Sequence, residues 1–180
     1  GMIRPFIVVG IPNTERRRDL TGPTRVKTDS AIAPHVGGSA RFRRFIRDEL
    51  FAAIKTRCRV TNERAIVGES LAGLFILETF FSEPALFDHY IALDPSLWWN
   101  RGLLVDSAAG RLKNFSSKPR TLYFASSDVP EMIVSNMRLD SLFKAIEPRG
   151  LRWSYVPRPD LTHATIFAGL GGAALANALK

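Results

Sequence analysis

Short apolar runs alternate with helix-periodic stretches along most of these 180 residues, and that alternation limits the fold more than any other feature. The runs fall at 7–11, 64–67, 90–93, 121–125 and 151–156, the first being closed by Pro12 and Asn13. Helical spacing of apolar residues covers 40–56, 71–81 and 131–146, and a small-residue helix is expected over 165–179. Strands separated by helices imply a mostly parallel sheet with helices on both faces. The expectation is one α/β domain over residues 1–180 with about five strands. Residues 14–39, which hold Pro23, Pro34 and Gly37-Gly38, read as one long loop, and long loops in compact domains are often functional.

Composition removes several classes of function. Apolar residues make up 46% and charged residues 23%, the balance of a globular chain rather than a disordered one. No apolar run is long enough to cross a bilayer. Nothing reads as a signal peptide, so the cytoplasm is the default expectation. The single cysteine, Cys58, excludes an internal disulfide. The net charge of +8 draws attention to Arg41, Arg43, Arg44 and Arg47. Apolar Phe42, Phe45, Ile46, Leu50, Ala53 and Ile54 recur there at three- and four-residue steps, which makes most of these arginines a solvated helix face. No zinc-finger spacing or RNA-binding motif accompanies them, and nucleic acid is not expected as a partner. Metal-ligand groupings, phosphate loops and dinucleotide fingerprints are lacking too, so no metal or cofactor is expected.

One motif carries chemistry. Gly68-Glu69-Ser70-Leu71-Ala72-Gly73 lies between an expected strand and an expected helix. A nucleophilic serine needs such a sharp strand–turn–helix junction to project its Oγ, and small residues two before and two after let the chain pack on itself. Gly68 and Ala72 supply them. The N-terminus of the helix also offers a free backbone N–H, that of Leu71, to a developing oxyanion.

A serine at such a turn needs a histidine to take its proton. Of the three histidines, His35 and His89 precede the expected position, whereas His163 follows the last expected strand. An acid should follow the strand at 121–125, and Asp128 is the leading candidate, with Glu131 and Asp160 as alternatives.

These residues, taken with Ile7-Val8-Val9-Gly10-Ile11, Arg17-Arg18-Asp19-Leu20-Thr21, Gly37-Gly38, Arg47-Asp48-Glu49-Leu50, Leu74, Pro95-Ser96-Leu97-Trp98-Trp99 and Thr162-His163, cover nearly the whole chain. In that order they resemble the esterase D-like branch of the α/β-hydrolases, particularly bacterial esterases related to ferric-enterobactin (siderophore) esterases. The resemblance implies a Ser70–His163 pair with an acid near Asp128, working through an acyl-enzyme on a small-molecule ester. It implies Trp98 and Trp99 at the rim of a substrate pocket, with core packing as their ordinary alternative, and Glu69 among the substrate-facing residues. Siderophore-cleaving members act on an anionic trilactone, and Arg16, Arg17 and Arg18 are candidates to meet that charge.

Two departures qualify the resemblance. Family members carry a longer N-terminal part, including the first strands and a turn that gives a second oxyanion N–H. This chain begins at what resembles the fourth strand, so the expectation is a truncated α/β-hydrolase sheet. Either 7–11 pairs with the nucleophile strand, or another chain, such as a second copy in a homodimer, covers the open edge. In addition, Asp94 stands where the family more often has a small residue. Two functions follow as expectations: a serine esterase for small or siderophore-like esters, or a catalytically impaired homologue that serves as a binding or assembly module.

Overall fold

The computed structural model describes residues 4–12, 15–113, 115 and 118–179. Helices α1 (Arg16–Leu20) and α2 (Lys27–Ser30) interrupt the segment expected as a loop. A continuous helical stretch follows: α3 (Ser39–Phe45), a π-helical turn over Ile46–Leu50, and α4 (Phe51–Arg57). Strand β1 (Ala65–Glu69) then leads into α5 (Leu71–Ser82) and β2 (His89–Leu93). A 3-10 turn (Trp99–Gly102) enters α6 (Leu103–Leu112), which precedes β3 (Arg120–Ser126), α7 (Pro130–Ile146), β4 (Leu151–Pro157) and α8 (Ile166–Ala178). Helix α6 is absent from the expected elements, although buried Val105, Ala108 and Leu112 carry its period.

The fold is α/β, with four parallel strands in the order β1-β2-β3-β4 among the described residues. Alternate residues of the two central strands enter two separate cores. Tyr90, Ala92, Leu122 and Phe124 pack with α5, α6 and α7, while Ile91, Leu93, Tyr123 and Ala125 pack under Ile166, Leu170 and Ala174 of α8. Both faces being covered explains why these strands read as continuous apolar runs rather than alternating ones. Phe80 centres the larger core, with ring centroids 5.1 Å from Phe81, 5.3 Å from Tyr90, 5.1 Å from Phe115 and 6.2 Å from Phe143.

Residues 7–11, expected as a strand, belong to none: Phe6, Ile7, Val8 and Val9 are exposed, and only Ile11 packs against the core. Extended apolar chain becomes a strand only when a neighbour satisfies its backbone groups, and β1 pairs solely with β2 among the described residues. Asn13 and Thr14, at the end of that expected strand and the start of the expected loop, lie outside the described residues. The edge is open on one face as well. Val67 pairs with Ile91 and so shares its face, but α8 lies over β2 and β3 and leaves Val67 39% exposed.

The arginine-rich helix face is solvated except at one position. Arg43 is buried, with Nε 2.9 Å from Glu83, Nη1 3.5 Å from Glu78, and Nη1 donating to Thr79 Oγ1 at 3.3 Å. A buried guanidinium is tolerable only with such partners, and here it fastens α3 to α5. Truncation of the fully buried aromatic hub, Phe80→Ala, is expected to cost about 3–5 kcal/mol of stability, read from urea denaturation.

Candidate active site

Four chain reversals meet along the C-terminal ends of the strands, and the candidate residues sit in them. Ser70 follows β1 with φ 62° and ψ −122°, a conformation that non-glycine residues rarely adopt. Hydrogen bonds hold it there: the Ser70 N–H donates to Leu93 O at 3.0 Å, and Ser70 O accepts from the N–H groups of Leu74 at 2.9 Å and Ser96 at 3.1 Å. Packing then makes the small residues obligatory. A Cβ on Gly68 would stand 2.6 Å from that of Ala72, and one on Gly73 would stand 3.0 Å from Pro95 Cα. The strand and helix therefore cross as closely as the sequence motif implies. Leu71 opens α5, so its N–H belongs to the first turn, which has no intrahelical acceptors and carries the positive end of the helix dipole.

The imidazole of His163 lies in the loop between β4 and α8, with Nδ1 2.5 Å from Asp94 Oδ2. Asp94 directly follows β2 and is fully buried, with a φ of 46°. Its two oxygens are otherwise held by Ser127: the backbone N–H donates to Oδ1 at 2.9 Å and Oγ donates to Oδ2 at 2.6 Å. The carboxylate partner of His163 is thus at the end of β2 rather than β3. Asp128, the leading acid in the sequence, is exposed, and its backbone N–H instead donates to Leu161 O at 2.9 Å. Glu131 is exposed in the first turn of α7, and Asp160 is paired with Arg158 at 2.6 Å. Chain order could not separate these carboxylates, because β2 and β3 are neighbours whose C-terminal ends open on the same space. The signal was Asp94 itself, a charged residue directly after an apolar strand run.

Other expected site residues divide. Trp98 is 40% exposed, whereas Trp99 is buried and donates from Nε1 to Gly22 O at 2.9 Å. Trp99 is therefore a core residue that pins residues 21–38 against the turn after β2, not a rim residue. Asn100 reinforces that link through its N–H, which donates to buried Asp29 at 2.8 Å. Arg17 donates to Ile32 O, and Arg18 is engaged by Glu15 and Asp19. Arg16 stays next to the Ser70 turn, with Nη2 3.4 Å from Glu69 O. Glu69 pairs in register with Leu93, so its side chain lies on the α8 face of the sheet, the side from which the His163 loop enters. Burial there raises the Glu69 carboxyl above its ordinary value, with Asp94 adding to the rise and His163 and Arg16 opposing it.

Residues 1–130 match the protein family described as "Putative esterase". The chain belongs to this esterase family. It is 27% identical over 195 residues to the ferri-bacillibactin esterase BesA of Bacillus subtilis, covering 97% of this chain and 68% of that protein. A siderophore enterobactin esterase of Emericella nidulans is 34% identical over 117 residues, 57% of this chain and 39% of its own length. Among solved structures, an IroE-like serine hydrolase from Shewanella oneidensis superposes with a TM-score of 0.84 at 25% identity, covering 99% of this chain and 60% of that one. The chain thus spans between about two fifths and two thirds of these relatives.

The esterase's Glu69 gives a signed expectation. A carboxyl whose folded value is raised costs stability once ionised, and the cost disappears as pH falls through the unfolded value, 4.5. Glu69→Gln should therefore raise the melting temperature at about pH 7, and the gain should vanish near pH 4. Calorimetry at both pH values tests it; a variant that melts lower at neutral pH would contradict this account.

Proposed function

We propose that this member of the esterase family hydrolyses a small or siderophore-like carboxylic ester through an acyl-enzyme on Ser70. The observation that carries the reading is the strained Ser70 turn at the same end of the sheet as the 2.5 Å contact between His163 and buried Asp94. The siderophore-like substrate rests on the relatives, whose names assign them ferri-bacillibactin and enterobactin esterase activity.

In this mechanism Asp94 accepts the Nδ1–H of His163, which leaves Nε2 as the unprotonated nitrogen. Ser70 Oγ attacks the ester carbonyl carbon, and its proton passes to Nε2. The Leu71 N–H faces the negative charge that develops on the carbonyl oxygen. Collapse breaks the bond to the alcohol oxygen, which leaves with the proton from Nε2. Water then attacks the acyl-enzyme by the same route and releases the acid. Trp98 and Glu69 line the approach, and Arg16 offers a cation to an anionic substrate. The chemistry uses only the chain's own groups.

Wild-type protein should react with a fluorophosphonate probe, and Ser70→Ala should lose both labelling and hydrolysis of an acyl or lactone ester. Asp94→Asn should lower the hydrolysis rate on the order of a thousandfold or more, since it no longer holds the required tautomer. A folded wild-type chain that neither labels nor hydrolyses would overturn this function and leave the binding or assembly module in its place.

The open β1 edge, with Val67 exposed on it, supports pairing of two copies of the chain. Light scattering should give twice the chain mass; a monomer at all concentrations would exclude that arrangement.

A further inference from the structure

The loop after β3, where chain order alone would place the acid, holds a different kind of group. Ser127 is fully buried and directs both of its donors at one carboxylate, its N–H at Asp94 Oδ1 (2.9 Å) and its Oγ–H at Asp94 Oδ2 (2.6 Å). With His163 on Oδ2, three donors therefore fix the plane of the Asp94 carboxylate. The flanking residues clamp the other partner. Ser126 O accepts from the Arg158 N–H at 2.8 Å, and the Asp128 N–H donates to Leu161 O at 2.9 Å, so residues 126–128 grip the segment leading to His163 on both sides. The Asp94 N–H in turn donates to Ala125 O at 2.8 Å.

We infer that Ser127 is a positioning residue for ester hydrolysis, acting through Asp94 to hold the His163 imidazole in register with Ser70. This rests on the Ser70–His163 reading above. The physical reason is that a buried carboxylate with one partner can rotate about its Cβ–Cγ bond, and a 2.5 Å contact to an imidazole tolerates little rotation. Two donors on a single residue, one per oxygen, remove that freedom. The backbone donor cannot be mutated away, so the hydroxyl is the adjustable half of the clamp. The Ser127 Oγ also accepts from the Val129 N–H at a longer 3.4 Å, which ties the clamp to the start of α7.

The test compares wild type, Ser127→Ala, Ser127→Cys, Asp94→Asn and the Ser127→Ala/Asp94→Asn double variant. Fluorophosphonate labelling rate, kcat and KM on one acyl ester, and melting temperature are read for each. Ser127→Ala should lower kcat and the labelling rate by about ten- to a hundredfold with KM little changed, the usual weight of a hydrogen bond to a charged group. Ser127→Cys, which keeps the shape but donates weakly, should fall between the two and covers the case in which the alanine variant fails to fold. Because Ser127 is held to act through Asp94, adding Ser127→Ala to Asp94→Asn should cost little more. Wild-type rates in Ser127→Ala or Ser127→Cys, or rate losses that multiply in the double variant, would overturn the inference. An unlabelled wild type would instead count against the Ser70–His163 reading, so the two failures are distinguishable.

Discussion

The close crossing of β1 and α5 at the Ser70 turn is the constraint on which the remainder of the site depends. A serine with positive φ persists only where its surroundings over-determine it, and here they do so from two directions. Gly68 against Ala72 lets the helix turn back immediately over its own strand, and Gly73 against Pro95 lets that helix close on the residue after Asp94. Backbone hydrogen bonds, from the Ser70 N–H to Leu93 O and from the Ser96 N–H to Ser70 O, then join the Ser70 turn to the Asp94 turn. The same junction that strains Ser70 therefore also positions Asp94.

A second junction completes the arrangement. Asp94 is a fully buried charge, which is costly unless its lone pairs are occupied, and the donors come from Ser127 and His163. Because β2, β3 and β4 are in parallel register, their C-terminal ends are adjacent, so residues far apart in the chain can meet around one carboxylate. Arg43 follows the same rule outside the site: buried between α3 and α5, it is matched by Glu78 and Glu83.

Much of the fold was legible because the signals were local. The strands at 90–93, 121–125 and 151–156 recur within a residue or so as β2, β3 and β4, and the helices at 71–81 and 131–146 as α5 and α7. Expectations that needed a neighbour fared differently. Residues 7–11 have the composition of a strand but pair with none among the described residues, and the two tryptophans, alike in sequence, divide into exposed Trp98 and buried Trp99. Helix α6 went unread although its buried residues carry a helical period, and it begins directly after three residues of positive φ, Asn100, Arg101 and Gly102.

By itself the sequence determined the α/β class, the family, and the position of the serine turn, since each depends on spacing along a few residues at a time. Which carboxylate faces His163 was decided only by tertiary structure. Asp94, Asp128, Glu131 and Asp160 all stand near strand ends or helix starts, and their chemistry is the same. What separates them is burial and the direction of their neighbours' donors: Asp94 is enclosed with His163 and Ser127, whereas the other three face solvent. Burial at a sheet end is set jointly by several strands and the loops that cover them, and no short stretch of chain encodes it.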